Sequence, residues 1–235
     1  MIESKLVVVI PARGASKRLK NKNLRSLGGY SLLTHSILYA LSSLKDIPVF
    51  VSTEDENIKK EAQKYGAQVI DRPIELAMDE TTTVEVIQHA IDSIAFDVED
   101  VILLQPTNPL RPQGILYSAL KAYKSRGSNS LFTVSPQLKK LGEINDHRFV
   151  PRNYQPGQRS QDMNPWYYEN GLLYIASRDI IKSGQLITRE AHPYIVDHIF
   201  GTVDIDTATD LDYAEFIFSH YRKEIFYLPD SRKSF

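Results

Sequence analysis

The run Leu6-Val7-Val8-Val9-Ile10 constrains this chain more than any other stretch. It is apolar without interruption, where a strand with one wet face would alternate. It therefore reads as a strand covered on both sides, the pattern of parallel α/β sheets. Residues 11–24, PARGASKRLKNKNL, follow directly. They gather Arg13, Lys17, Arg18, Lys20 and Lys22, with Arg25 just beyond, around Gly14, Ala15 and Ser16. Ligands of open parallel sheets bind beyond the carboxyl ends of the strands. A loop there with small residues and many cations suits a polyphosphate, because backbone N–H groups can approach it and the side chains balance its charge. The competing reading is that these cations are merely solvated. Neither GxxxxGK[ST] nor GxGxxG is present, which sets aside a Walker A loop and a dinucleotide-binding turn.

Strand and helix patterns alternate after the loop, which argues for a mostly parallel sheet. Leu33, Ile37, Leu41 and Leu44 give helical spacing over 32–44. A strand at 48–52 leads to a polar helix at 54–65, stopped by Gly66. Then come a strand at 68–71, a helix at 82–96, a strand at 101–104, a helix at 113–126 and a strand at 130–134. Residues 139–165 are polar and weakly periodic, an insertion or arm rather than more βαβ. An aromatic strand at 167–175, a helix from Arg178, a strand-like stretch at 195–205 and a helix at 207–221 complete the chain. The prediction is an α/β fold with a mostly parallel, Rossmann-like sheet and helices on both faces. It forms one domain over 1–235, with 137–196 as an inserted subdomain.

Composition limits the partners. With 235 residues and a net charge of −1 the chain has no broad basic field for nucleic acid. It has no cysteine, so disulfides, thiol nucleophiles and cysteine metal sites are excluded. No apolar run reaches membrane-spanning length and no signal peptide precedes the first strand, so a cytoplasmic protein is expected.

Several motifs carry polar residues that suit chemistry. In VDIDTATDLD, an extended Val203–Ile205 puts Asp204 and Asp206 on one face. Two carboxylates there can hold Mg²⁺, which prefers oxygen ligands; alternatively, they end a strand and cap the next helix. Arg72 can fork onto a phosphate or pair with Asp71 at a strand exit. Thr82 and Thr83 stand where a base contact or a helix cap would be. Gln105 follows the most apolar strand and suits a polyhydroxylated ligand, or satisfies loop backbone before Pro106. The six histidines show no metal spacing and no serine sits in a G-x-S-x-G elbow.

The motifs IPARG-x-SK with KN four residues on, RP-x-x-LA-x-D, LLQPTNPLR, QRSQD…YYENGLLY and DID occur in that order over most of the chain. Together they resemble the acylneuraminate cytidylyltransferases, whose wider group serves sialic, legionaminic and pseudaminic acids, with CMP-KDO synthetases more distant. The chain departs from that pattern at Ala15, where the family usually has a second glycine, and at Tyr168, where it often has arginine. The resemblance implies transfer of CMP from CTP to a nonulosonic acid, with release of pyrophosphate. It implies nucleotide contacts from Ala12, Arg13, Gly14, Ser16, Lys17, Lys22, Asn23, Arg72 and Thr83, with Arg13, Lys22 and Asp206 as the catalytic set. Gln105, Arg159, Gln161, Asn170 and Tyr174 would face the acceptor sugar, and Asp204 and Asp206 would hold Mg²⁺. A homodimer built through the arm, whose residues reach the partner's site, is implied as well. No residue stands out as the base for the attacking hydroxyl. A CMP-KDO-type synthetase and a non-catalytic sugar-nucleotide binding module are the alternatives, and the second has no use for both aspartates.

Overall fold

The computed structural model describes residues 5–228, so the ends of the expected 1–235 domain lie outside the described residues. The chain runs β1 (Leu6–Pro11), a short hairpin β2 (Ser26–Leu27) and β3 (Tyr30–Ser31), α1 (Leu32–Ser43), β4 (Val49–Thr53), α2 (Glu56–Lys64) and β5 (Gln68–Asp71). It continues through α3 (Thr83–Ser93), β6 (Asp100–Leu103), α4 (Ile115–Arg126) and β7 (Ser130–Gln137). A second hairpin, β8 (Gly142–Asn145) and β9 (Arg148–Pro151), precedes β10 (Trp166–Ser177), α5 (Arg178–Lys182), β11 (His192–Ile195) and α6 (Ala208–His220).

The central sheet has seven strands in the order β11-β7-β10-β6-β1-β4-β5. The pairs β1–β4, β1–β6, β4–β5 and β7–β11 are parallel, and β10 alone runs antiparallel to both its neighbours. The expectation from the apolar first strand holds: Val7, Val8, Val9 and Ile10 are fully buried. Val8 and Ile10 face one layer with Leu33 and Ile37 of α1, Leu116 of α4 and Ile217 of α6. Val7 and Val9 face the other with Ile87 and Ile91 of α3 and Ile181 of α5. Each such side chain contributes about 1.5–3 kcal/mol of burial, enough to fix β1 as the axis of the sheet.

Local chemistry sets the element ends. Thr82 caps α3 in a reciprocal capping box with Glu85, and Thr207 does the same for α6 with Asp210. The helix predicted from 113 begins at Ile115, because Gly114 sits at φ +80° and cannot belong to it. The stretch 195–205, predicted extended, is corrected by the structure. After β11 the chain turns into a 3-10 helix, Ile199–Thr202, entered through Phe200 N–H donating to His198 Nδ1 at 3.1 Å. Phe200, Val203 and Ile205 are buried at a spacing of three and then two residues, so a turn rather than a strand inserts them into the core. Within 137–196, β10 and β11 belong to the central sheet, and the β8–β9 hairpin lies outside it.

Candidate active site

The carboxyl ends of β1, β5 and β6 open onto a cleft of about 280 Å³ lined by Arg13, Lys22, Asn23, Arg72, Thr83 and Gln105 among others. The cationic loop is held in place by side chains from its neighbours. Asn23, itself buried, donates to the Arg13 carbonyl at 2.9 Å. Gly14 N–H donates to Glu54 Oε1 at 2.7 Å, and a Cβ on Gly14 would lie 2.5 Å from Asp55 Oδ2, so only glycine fits there. Ala15 is not among the residues with positive φ, so its Cβ strains nothing. Asn21, at φ +54°, turns the chain into the 3-10 helix Lys22–Leu24 and so brings Lys22 to the cleft. Ala12 is fully buried at the strand end.

The loop's cations pair with two carboxylates across the cleft. Arg13 NH1 lies 2.9 Å from Asp79 Oδ1 and donates to the Met78 carbonyl at 3.3 Å, while Lys17 pairs with the other Asp79 oxygen. The Lys17 ammonium, then Arg13, hold the Asp79 carboxyl below its ordinary range. Lys22 Nζ and Arg18 NH2 each lie 2.6 Å from one oxygen of Asp206. Arg72 does not take Asp71 as its partner. Its Nε and NH2 donate to Glu54 Oε2 at 3.2 and 2.7 Å, and Asp71 pairs with Lys59 instead. Glu54 thus joins the loop after β1 to the exit of β5.

Two further clefts continue from the first. One, of about 360 Å³, is lined by Gln105, Thr107, Glu169, Tyr174, Asp204 and Asp206 among others. The next, of about 410 Å³, includes Gln137, Lys139, Tyr168, Glu169, Thr202 and Asp204. Gln105 and Thr107 line the first two, and Glu169, Asn170 and Asp204 line the last two, so the three form one trench.

A break in the β10 ladder shapes the middle of that trench. Glu169 pairs with Val134 and Tyr174 with Phe132, so five steps on β10 oppose two on β7. Gly171 within this bulge has φ +72°, and a Cβ there would lie 2.6 Å from Asn108 Oδ1; the conformation and the space both call for glycine. Asn108 Nδ2 donates to the carbonyls of Asn170 (3.1 Å) and Val203 (3.0 Å), tying the bulge to the DID segment. Arg111 is fully buried beneath it and donates to the carbonyls of Leu172 (2.7 Å) and Gln105 (2.9 Å) and to Ser36 Oγ (3.1 Å). Burial lowers its pKa to about 10, so it stays charged at neutral pH.

Val203 and Ile205 are buried while Asp204 and Asp206 both line the middle cleft, as the two-residue spacing predicted. Burial, then the charge of Asp206, push the Asp204 carboxyl up, and the Thr107 hydroxyl opposes this. Among the described residues no group of three or more His, Cys, Asp or Glu side chains forms a metal site. Two repelling carboxylates facing one trench nonetheless fit a hard divalent cation whose remaining ligands come from phosphate oxygens and water.

Most predicted site residues converge here: Arg13, Lys22, Asn23, Arg72, Thr83, Gln105, Asn170, Tyr174, Asp204 and Asp206 all line the trench. Ser16 and the exposed Lys17 lie in the loop beside it. Of the two threonines, Thr82 is the cap and Thr83 faces the cleft. Arg159 and Gln161 are not brought to the trench. Both are exposed, and Arg159 Nε lies 2.8 Å from Asp162 Oδ2. The sequence reading missed Glu54, Asp79, Asn108 and Glu169. Each stands at a strand exit, beside a quoted motif or within one, and that position was the available signal.

A mostly parallel sheet with a cation-lined cleft at its carboxyl edge and two aspartates in the next cleft defines an α/β protein whose site suits a polyanion. The chain belongs to the cytidylyltransferase family, whose profile matches residues 7–229. It is 34% identical over 219 residues to CMP-N,N'-diacetyllegionaminic acid synthase of Legionella pneumophila, covering 88% of this chain and 93% of that one. It is 31% identical over 221 residues to N-acylneuraminate cytidylyltransferase of Escherichia coli, covering 91% of this chain and 52% of that one, so it spans about half that relative's length. A structure of CMP:2-keto-3-deoxy-manno-octonic acid synthetase complexed with CTP superposes with a TM-score of 0.72 at 17% identity, covering 92% of this chain and 99% of that one. That likeness shows the fold.

Proposed function

We propose that this protein transfers CMP from CTP to a nonulosonic acid of the sialic or legionaminic type and releases pyrophosphate. The observation that carries this is the continuous trench from the cationic loop, past Asp204 and Asp206, to the β10 bulge. The triphosphate would lie against the loop, exchanging the carboxylates of Asp79 and Asp206 for its own oxygens on Arg13, Lys17 and Lys22. Ala12 and Gly14 fix the course of the backbone there, their N–H groups held by the Ser52 carbonyl and Glu54 Oε1, and Ser16 and Asn23 shape the loop. Arg13 and Lys22 then stabilise the charge that develops on the leaving pyrophosphate. Arg72, its other edge fixed by Glu54, and Thr83 complete the nucleotide side. Gln105, Asn170 and Tyr174 bind and orient the acceptor, whose anomeric hydroxyl attacks the α-phosphorus in line.

Asp204 and Asp206 would hold Mg²⁺. When bound, that ion screens the triphosphate and withdraws charge from it. The unit spans the whole chain, 1–235, with 137–196 as its acceptor and dimer region. Exposed Ile144 and Phe149 on the β8–β9 hairpin support an arm that meets a second copy. Through that arm Arg159 and Gln161 would reach the partner's trench. No helix among the described residues is long and apolar enough to cross a membrane, and a reaction on CTP belongs to the cytoplasm.

A pyrophosphate-release assay tests the proposal. Each of the four ribonucleoside triphosphates is offered with sialic, legionaminic, pseudaminic and KDO acids, with and without Mg²⁺. Release with CTP, a nonulosonic acid and metal is the expected result. Folded protein that binds CTP but releases nothing with any of these acids refutes the reading.

A further inference from the structure

One step of the proposed transfer lacks a residue: a group must take the proton from the attacking hydroxyl. Resting on the transferase reading above, we propose that Glu169 is that catalytic base and that Tyr174 is the positioning residue that aims it.

The meeting point of the two substrates narrows the choice. Gln105 and Thr107 join the nucleotide cleft to the middle cleft, and Glu169, Asn170 and Asp204 join the middle cleft to the last. A hydroxyl attacking the α-phosphorus must therefore sit in the middle cleft. The amides of Gln105, Asn108 and Asn170 and the hydroxyl of Thr107 are not bases at neutral pH. Tyr174 donates its O–H to Glu169 Oε1 at 2.5 Å. Burial and that bond hold its phenol well above the ordinary value, so it stays protonated. Asp206, held by Lys22 and Arg18 before CTP binds, becomes a ligand of the cation once the triphosphate takes Lys22. Asp204, which shares the middle cleft with Asp206, is assigned with it to the cation. Glu169 is exposed toward the trench, and among the described residues no Lys, Arg or His forms an ion pair with it. Tyr174 takes Oε1 and leaves Oε2 open.

The backbone around Glu169 is pinned. Glu169 is the last residue of β10 paired with β7 before the bulge. Asn170, next in the chain, donates to Ser135 Oγ at 2.9 Å and accepts from Leu172 N–H at 3.1 Å. A carboxylate on a fixed backbone with one oxygen held has little freedom to leave its geometry. The charged and titratable groups sharing its clefts are Tyr174 on its own strand, Tyr168 one residue before it, Lys139 beyond β7, and Asp204 and Asp206 before α6.

In the step, the acceptor's O–H bond breaks and the proton passes to Glu169 Oε2. The oxygen's electron pair forms the new bond to the α-phosphorus. The bond from that phosphorus to the bridging oxygen of the β-phosphate breaks, and its electrons leave on pyrophosphate. Glu169 returns its proton to water.

The test is single-turnover formation of CMP-sugar by the full-length protein, with CTP affinity measured separately by calorimetry. Glu169→Gln is expected to lower the rate by about 10²–10⁴-fold, with CTP affinity and acceptor KM nearly unchanged. Glu169→Ala should regain part of its rate when acetate is added, which a structural role would not permit. Tyr174→Phe should slow the step by about tenfold while CTP affinity stays unchanged, because the carboxylate loses the donor that aims it. Glu169→Gln turning over within about threefold of the wild type, or raising only the acceptor KM, overturns the proposal. Absence of turnover in the wild type overturns the transferase reading itself, so the two failures are distinct.

Discussion

Removing one carboxylate, in Glu54→Ala, tests how the cation-lined cleft is braced. The Arg72 side chain is 3% exposed and that of Glu54 is 13% exposed, and the guanidinium spends two donors on Glu54 Oε2. The other Glu54 oxygen holds the Gly14 N–H at 2.7 Å. The substitution leaves a buried cation with no counter-charge and a loop N–H with no acceptor. Breaking a buried ion pair from one side costs about 3–5 kcal/mol, and a chain of this size loses about 2–4 °C of Tm per kcal/mol. The expected fall is therefore roughly 6–20 °C. In an Arg72→Met background the uncompensated charge is gone, so the same Glu54→Ala change should cost only about 1–2 kcal/mol, chiefly the orphaned loop N–H. Urea unfolding of the four proteins at pH 7, followed by circular dichroism, closes the cycle. A Glu54→Ala cost below about 1 kcal/mol, or strict additivity of the two substitutions, refutes the claim that this pair braces the site.

His35 gives a second expectation. It is fully buried, donates from Nε2 to the Leu27 carbonyl at 2.8 Å, and is pushed down to about 4 by burial, with smaller contributions from the charges of Arg111 and Arg222. Its folded value lies below the ordinary 6.5, so the unfolded chain binds more protons between the two. Stability should be full above pH 6.5 and fall by about 3 kcal/mol as pH drops toward 4. Urea midpoints across that window should show this slope, and His35→Gln should flatten it. Asp79→Asn provides a third: it frees Arg13 and Lys17 from an internal anion, so CTP should bind severalfold tighter at low salt. That gain should shrink as salt screens the loop, and calorimetry at two ionic strengths reads both effects.

The parallel half of the sheet was legible because its strands carry their own signal. Leu6–Ile10 is apolar throughout, and β5 was read at its true bounds, Gln68–Asp71. The loop residues were legible for a related reason, since chemistry-bearing side chains at strand exits face the ligand edge, and the aspartate pair was legible from its two-residue spacing between buried Val203 and Ile205. The direction of β10 was not legible, because a strand reads the same whichever way its neighbours run. Nor was its bulge, where the glycine requirement at position 171 comes from Asn108, 63 positions earlier in the chain. The region 195–205 misled because buried Phe200, Val203 and Ile205 are as apolar as a strand but enter the core from a turn. Glu54 was overlooked because its partners, Gly14 and Arg72, are near it only after β1, β4 and β5 align.

The reversed strand β10 has a consequence for how such a chain can diversify. Because it runs against its neighbours, its leading half, not its trailing half, arrives at the ligand edge of the sheet. The residues just upstream of it, 138–165, therefore lead into the end of the trench lined by Lys139 and Tyr168, while the cation-lined end hangs from β1, β5 and β6 on the other side. Insertions, deletions and substitutions in that upstream segment can reshape what is accepted without disturbing what is donated. One scaffold can in this way keep a fixed currency and change its customer.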